Sequence, residues 1–256
     1  MKQKIFKLIL ILIIGGLGGV LADQFLLPFL ADAPLFSQIE FIERAKDGTT
    51  IINKTERITI AENTAAEEAI RRINPSITAV QTLSKNKQII REGTGFIVFS
   101  DGLIITAADL VPEKAGQYLV FQENSSSTAQ VIKRDGKNNL ALLKIEKTNL
   151  PVVPLADLSE LALGERIILM GVQTPHLLEK DAGQVPKDNF YRFINLGTIR
   201  GIKEETISLN LSEEDPLANG GPLINTKGEV VGLNLVNQNG LTKTAPVNII
   251  KEFIKI

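Results

Sequence analysis

The chain of 256 residues has no cysteine, no tryptophan and a single histidine, and aromatic residues make up only 5% of it. Without cysteine there are no disulfides, no thiolate metal sites and no cysteine nucleophile. With one histidine, His176, no site can use two imidazoles, and any reaction needing even one depends on that residue. Neither sign of charge is in excess: 28 Lys and Arg stand against 29 Asp and Glu. No basic surplus recommends nucleic acid as a partner, and no acidic surplus suggests a disordered tail. Long hydrophobic runs are scarce too, the longest uncharged stretch being the one from Leu8 to Ala22. What is present, 44% hydrophobic against 22% charged residues, suits a folded globular protein with a substantial core.

Residues 1–31 read as a membrane anchor or signal segment. Lys2, Lys4 and Lys7 precede the uncharged run, and a second apolar patch follows from Phe25 to Ala31. A snorkelling Lys7 extends the usable run to Ile5, which gives a single-pass transmembrane helix with the lysines cytoplasmic. The alternative is a cleaved signal peptide, since Val20-Leu21-Ala22 offers small residues to a peptidase. Both place the remaining chain on the extracytoplasmic side, periplasmic or extracellular. Gly15 and Gly19 have dimerisation-motif spacing, although glycine is common in apolar helices.

Residues 32–75 read as a juxtamembrane stalk and a short helix. Thr64 serves as N-cap with Glu67 three residues on, Ala65, Ala69, Ile70 and Ile73 fall at helical spacing, and Asn74-Pro75 stops the helix.

Residues 76–256 form the third segment, where short β-type runs alternate with turn signals. Among them are "ITAVQTL", "GTGFIVFS", "LIITA", "YLVFQE", "AQVIKRD", "LALLKI", "RIILMG", "INLGTIRGI", "TISLNL", "GPLIN" and "EVVGLNLV". This spacing predicts an all-β barrel or sandwich. A closing helix follows, with Ile249, Ile250, Phe253 and Ile254 on one face.

The stretches "GTGFIVFSDGLIITAADLV", "RDGKNNLALLKI", "LADLSELALGE", "DPLANGGPLINTKGEVVGLNL" and "TAPVNIIKEF" occur in that order. Together they resemble the trypsin-like serine proteases of the HtrA/Deg (DegP-like) family from about Ile77 to the C-terminus. The resemblance implies two packed six-stranded β-barrels with a C-terminal helix and a cleft between them. It also implies acyl transfer by a serine, a histidine base and an orienting aspartate. By the same motifs Asp109 stands in the histidine position, Asn139 in the aspartate position and Asn219 in the serine position. A carboxylate cannot act as an imidazole relay, a carboxamide cannot stabilise an imidazolium, and an amide nitrogen is no nucleophile.

The family's oxyanion hole uses the backbone N–H of the serine and of a glycine two residues earlier, here Asn219 and Leu217. Leucine resists the positive φ that glycine allows. Losing one such donor costs about 10²- to 10³-fold in rate, and losing a triad about 10⁶-fold. Gly220, Gly221 and Asn234 are expected to shape and line the cleft. His176 falls in a loop far in sequence from the three positions. Asp109 with Asp135 lacks the duplicated motif of an aspartic protease, and Asp135 before Gly136 reads as a turn residue. The acidic run Ser212-Glu213-Glu214-Asp215 reads as a solvated turn.

The expectation is therefore a pseudoprotease, with no cofactor and no metal, that binds an extended peptide or unfolded protein segment. No nucleic-acid partner is expected, the membrane is met through the N-terminal helix, and an oligomer is open. An active serine-type endopeptidase in protein quality control is the alternative reading, and a regulatory subunit beside an active protease paralogue is a third. The peptide-binding PDZ domain common after such protease domains is not expected in this chain. Asn219-Gly220, a sterically open pair, is expected to deamidate slowly.

Overall fold

A computed structural model describes residues 2–22, 25, 64–122, 125–174, 190–203, 206–212, 215–237, 240 and 242–255. The chain divides into two compact units, Met1–Ala61 and Glu62–Ile256. The expected stalk 32–62, His176, Glu213 and Glu214 lie outside the described residues.

In the first unit, helix α1 covers Lys2–Leu21. Among the described residues no helix is long and apolar enough to cross a membrane, so the expected transmembrane helix is not supported. The uncharged part of α1 begins at Leu8 and ends with the helix at Leu21. At 1.5 Å per residue that is about 20 Å, against a hydrocarbon core of about 30 Å.

The second unit opens with helix α2 over 64–73, ended by Asn74-Pro75 as a 3₁₀ turn. Twelve strands follow among the described residues. Strands β1 (Ile77–Leu83), β2 (Ile89–Phe99), β3 (Leu103–Ala107), β4 (Gln117–Gln122), β5 (Ser125–Asp135) and β6 (Leu140–Lys144) close into a barrel in the order β1-β2-β3-β6-β5-β4. Strands β7 (Arg166–Gln173), β8 (Tyr191–Lys203), β9 (Thr206–Leu211), β10 (Pro222–Asn225), β11 (Val230–Val236) and β12 (Thr242–Pro246) form a second six-stranded sheet in the order β12-β11-β10-β7-β8-β9. The chain ends in helix α3, Val247–Phe253. This is the all-β, double six-stranded barrel with a C-terminal helix that the resemblance implies.

The β-branched and aliphatic runs become strands because each is bounded by turn chemistry and buried on at least one face. β3 is buried at all five positions, and β1 at six of its seven. β5 starts earlier than its "AQVIKRD" signal, at the polar Ser125. That first stretch is held by its ladder to β4, where Ser126 faces Phe121 and Ser127 faces Val120, rather than by burial. One apolar cluster joins α2 (Ala69, Ile73), the first barrel (Phe96, Ile105, Leu142), the second (Ile168, Leu233) and α3 (Ile250, Phe253). Each of these Leu, Ile and Phe side chains contributes about 1.5–3 kcal/mol on burial, so the two barrels, α2 and α3 share a core that fixes the seam between the barrels.

Candidate functional site

The site lies at that seam and is built from three loops. The first follows β3. Ala107 pairs with Leu140, so the residues just beyond, the 3₁₀ turn Ala108–Leu110 and Asn139, are brought face to face. Asn139 takes a left-handed conformation, φ 54°, which asparagine tolerates better than most residues. From there its backbone carbonyl accepts from Ala108 N at 3.0 Å. Its Oδ1 accepts from Asp109 N at 2.9 Å. Asn139 thus orients Asp109 through the backbone and not through the carboxylate.

The loop between β9 and β10 supplies Asn219. Pro216–Ala218 form a 3₁₀ turn capped by Asp215, whose carboxylate accepts from Leu217 N at 2.8 Å. Asn219 N in turn donates to Pro216 O at 3.1 Å. Both backbone donors that the resemblance would assign to an oxyanion hole, on Leu217 and Asn219, are spent inside the loop. Leu217 is not among the residues with positive φ.

The Asn219 carboxamide joins three elements. Its Nδ2 donates to Asp109 Oδ1 at 3.0 Å. Its Oδ1 accepts from Val236 N, at the end of β11, at 3.0 Å. Its backbone carbonyl accepts from Thr94 N on β2 at 2.8 Å. Asn219 is 6% exposed, whereas Asp109 lies at the surface. The expected residues Asp109, Asn139 and Asn219 are therefore brought together, in one chain of hydrogen bonds that bridges the barrels.

Gly220, φ 79°, makes the bridge possible. A Cβ there would fall on Thr94 O and Thr106 Oγ1, and its N–H donates to Asn234 O at 2.8 Å. Gly221 packs against Met170 O, so a side chain there would collide with β7. Asn234 is fully buried, and its Nδ2 donates to Ala218 O at 3.1 Å, so it backs the loop rather than lining open space. Thr94 carries no sequence motif that marks it as part of this site. Its Oγ1 donates to Leu217 O at 2.9 Å and accepts from Val172 N at 3.1 Å, and its carbonyl accepts from Thr106 Oγ1 at 2.7 Å. The only signal for it was a hydroxyl between two glycines in "GTG".

Asp135 does not join the site. Its carboxylate accepts from Lys137 N at 2.8 Å and from Asn138 N and Nδ2 at 3.2 and 2.6 Å. Partial burial pushes its pKa up, but these hydrogen bonds and the nearby Lys137 charge together hold it below the usual aspartate value. Among the described residues there is no cluster of three or more His, Cys, Asp or Glu that could hold a metal. Among the described residues, what Asp109, Asn139 and Asn219 do here is accept and donate hydrogen bonds.

The family profile described as Trypsin-like peptidase domain matches residues 93–233. The chain belongs to that trypsin-like family. The match begins beside Thr94, ends one residue before Asn234, and contains Asp109, Asn139 and Asn219. Among curated relatives, Serine protease HTRA1A of Danio rerio is 28% identical over 84% of this chain and 45% of its own length. A probable periplasmic serine endoprotease DegP-like of Pseudomonas putida (strain GB-1) is 31% identical over 56% of this chain and 28% of its own. The trypsin-like chain thus spans less than half the length of these relatives. The solved structure titled "Crystal structure of the serine endoprotease from Yersinia pestis" superimposes with a TM-score of 0.58 at 24% identity, over 73% of this chain and 64% of that one. At that identity it speaks for the fold.

Proposed function

We propose that this HtrA-like, trypsin-fold chain is a pseudoprotease of the extracytoplasmic space, a module that binds unfolded protein or extended peptide without cutting it. The observation that carries the reading is the Asn219 carboxamide, hydrogen-bonded to Asp109 and Val236 where the family would hold a nucleophile free. The spent N–H groups of Leu217 and Asn219 support it further, because a tetrahedral intermediate would have no preorganised donors. The vacated positions are Asp109, Asn139 and Asn219, with Leu217 at the lost oxyanion donor. A retained fold without its chemistry fits a binding or regulatory role, as function resides in the site and not in the barrel.

Relatives named as periplasmic support export of the folded unit, and the lysines and apolar run of α1 fit a targeting segment better than a span. Peptide capture beside the cleft, by strand addition, is the binding mode proposed. Mixing the full chain with unfolded casein tests the reading. A sedimenting complex in which casein keeps its intact mass is expected. New casein termini would contradict inactivity, and the absence of any complex would contradict binding.

A further inference from the structure

The two barrels repeat one topology, and one joint of the repeat is unmade. The first barrel runs β1-β2-β3-β6-β5-β4 and closes. The second keeps the corresponding sequence of neighbours through β12-β11-β10-β7-β8-β9, yet β9 and β12, the counterparts of β3 and β6, have no ladder between them. The edges lie beside each other, and a groove of about 610 Å³ runs along them. Ile207 and Leu209 of β9, Pro246 at the end of β12 and Ile249 of α3 give it apolar walls.

Three cations from three separate elements ring this groove: Lys137 in the β5–β6 turn, Arg200 on β8 and Lys243 on β12. All three are exposed, none is in an ion pair among the described residues, and no described acidic residue lines the groove. Asp135, two residues from Lys137, has its carboxylate committed to its own turn. No ladder joins the two strand edges along the groove, and strand edges are templates for an added extended segment.

We infer that this seam is a second binding site, separate from the Asn219 loop, for a short acidic peptide segment in extended conformation. Acidic side chains on alternate positions reach the cations, while the peptide backbone meets edge groups of β9 and β12. Strand neighbours lie about 4.8 Å apart, so the segment lies along the mouth of the seam and does not wedge between two edges already side by side. The five residues of β12 set the length of a fitting segment. Contacts to charged groups in such a groove make binding salt-dependent.

The probe is a fluorescent, end-capped Glu-Thr-Glu-Val-Glu peptide titrated into the full chain and read by anisotropy. Saturable binding is expected, weakened at least tenfold by the combined Lys137→Glu, Arg200→Glu, Lys243→Glu change, and at least tenfold for the Gln-Thr-Gln-Val-Gln peptide. Asn219→Ala leaves it unchanged, which separates this site from the proposed cleft. Should the triple variant unfold, Arg200→Gln and Lys243→Gln singly carry the test, each weakening binding about threefold. Wild-type affinity in folded charge variants, equal binding of the glutamine peptide, or full competition by inorganic phosphate at matched charge would each overturn the inference.

Discussion

Asn219 donates its side-chain amide to Asp109 at 3.0 Å while accepting the backbone N–H of Val236, also at 3.0 Å. One carboxamide thereby ties the turn after β3, in the first barrel, to the end of β11, in the second. Removing it leaves the buried N–H of Val236 and one face of Asp109 without partners. Asn219→Ala is expected to destabilise the folded unit by about 1–3 kcal/mol, seen as a lower urea midpoint with an unchanged slope.

The same bonds oppose deamidation of Asn219-Gly220. Cyclisation needs Gly220 N to attack the Asn219 side-chain carbonyl, but that N–H donates to Asn234 O at 2.8 Å and both ends of the carboxamide are held. The pair that looked open in sequence is closed in the fold. In the native chain under mild alkali, the peptide spanning residue 219 is expected to keep its mass. In urea it is expected to gain one dalton within days. The product would also set a second carboxylate against Asp109.

Gly220 is the least replaceable residue of the loop. Gly220→Ala combines a left-handed backbone, costing about 1–2 kcal/mol for an L-residue, with overlap against Thr94 O. A loss of about 2–5 kcal/mol in total is expected by chemical denaturation.

Asp135 links the fold to pH. Its native pKa lies below the unfolded value, so the stability it contributes is fully present above the usual carboxylate range and is lost as pH falls through the native value. Asp135→Asn is therefore expected to lower the midpoint of thermal unfolding at pH 7, by the equivalent of about 1 kcal/mol, and to make little difference near pH 2. Parallel melts of the two proteins across that range check this.

Much of this architecture was legible beforehand, because strands such as β3 and β10 are short apolar runs between turn residues and are buried as such. The convergence of Asp109, Asn139 and Asn219 was legible through ordered motifs. The Thr94 hub was not, since a lone hydroxyl between glycines carries no period and its partners, Leu217 and Val172, are far along the chain. The unmade β9–β12 joint was also hidden, because both strands have ordinary β patterns and only their spatial closure differs. The N-terminal run reads as a span from its composition, but no helix among the described residues is long and apolar enough to cross a membrane.

The central claim, that the loop around Asn219 holds no catalytic machinery, is tested most directly by intact-mass analysis of the full chain after a fluorophosphonate serine probe, with the Asn219→Ser variant alongside. Neither protein is expected to gain an adduct in residues 93–233, because restoring the hydroxyl restores neither the base nor the donors spent on Asp215 and Pro216. A wild-type adduct mapped to that range, accompanied by casein cleavage that Asn219→Ala abolishes, would contradict it.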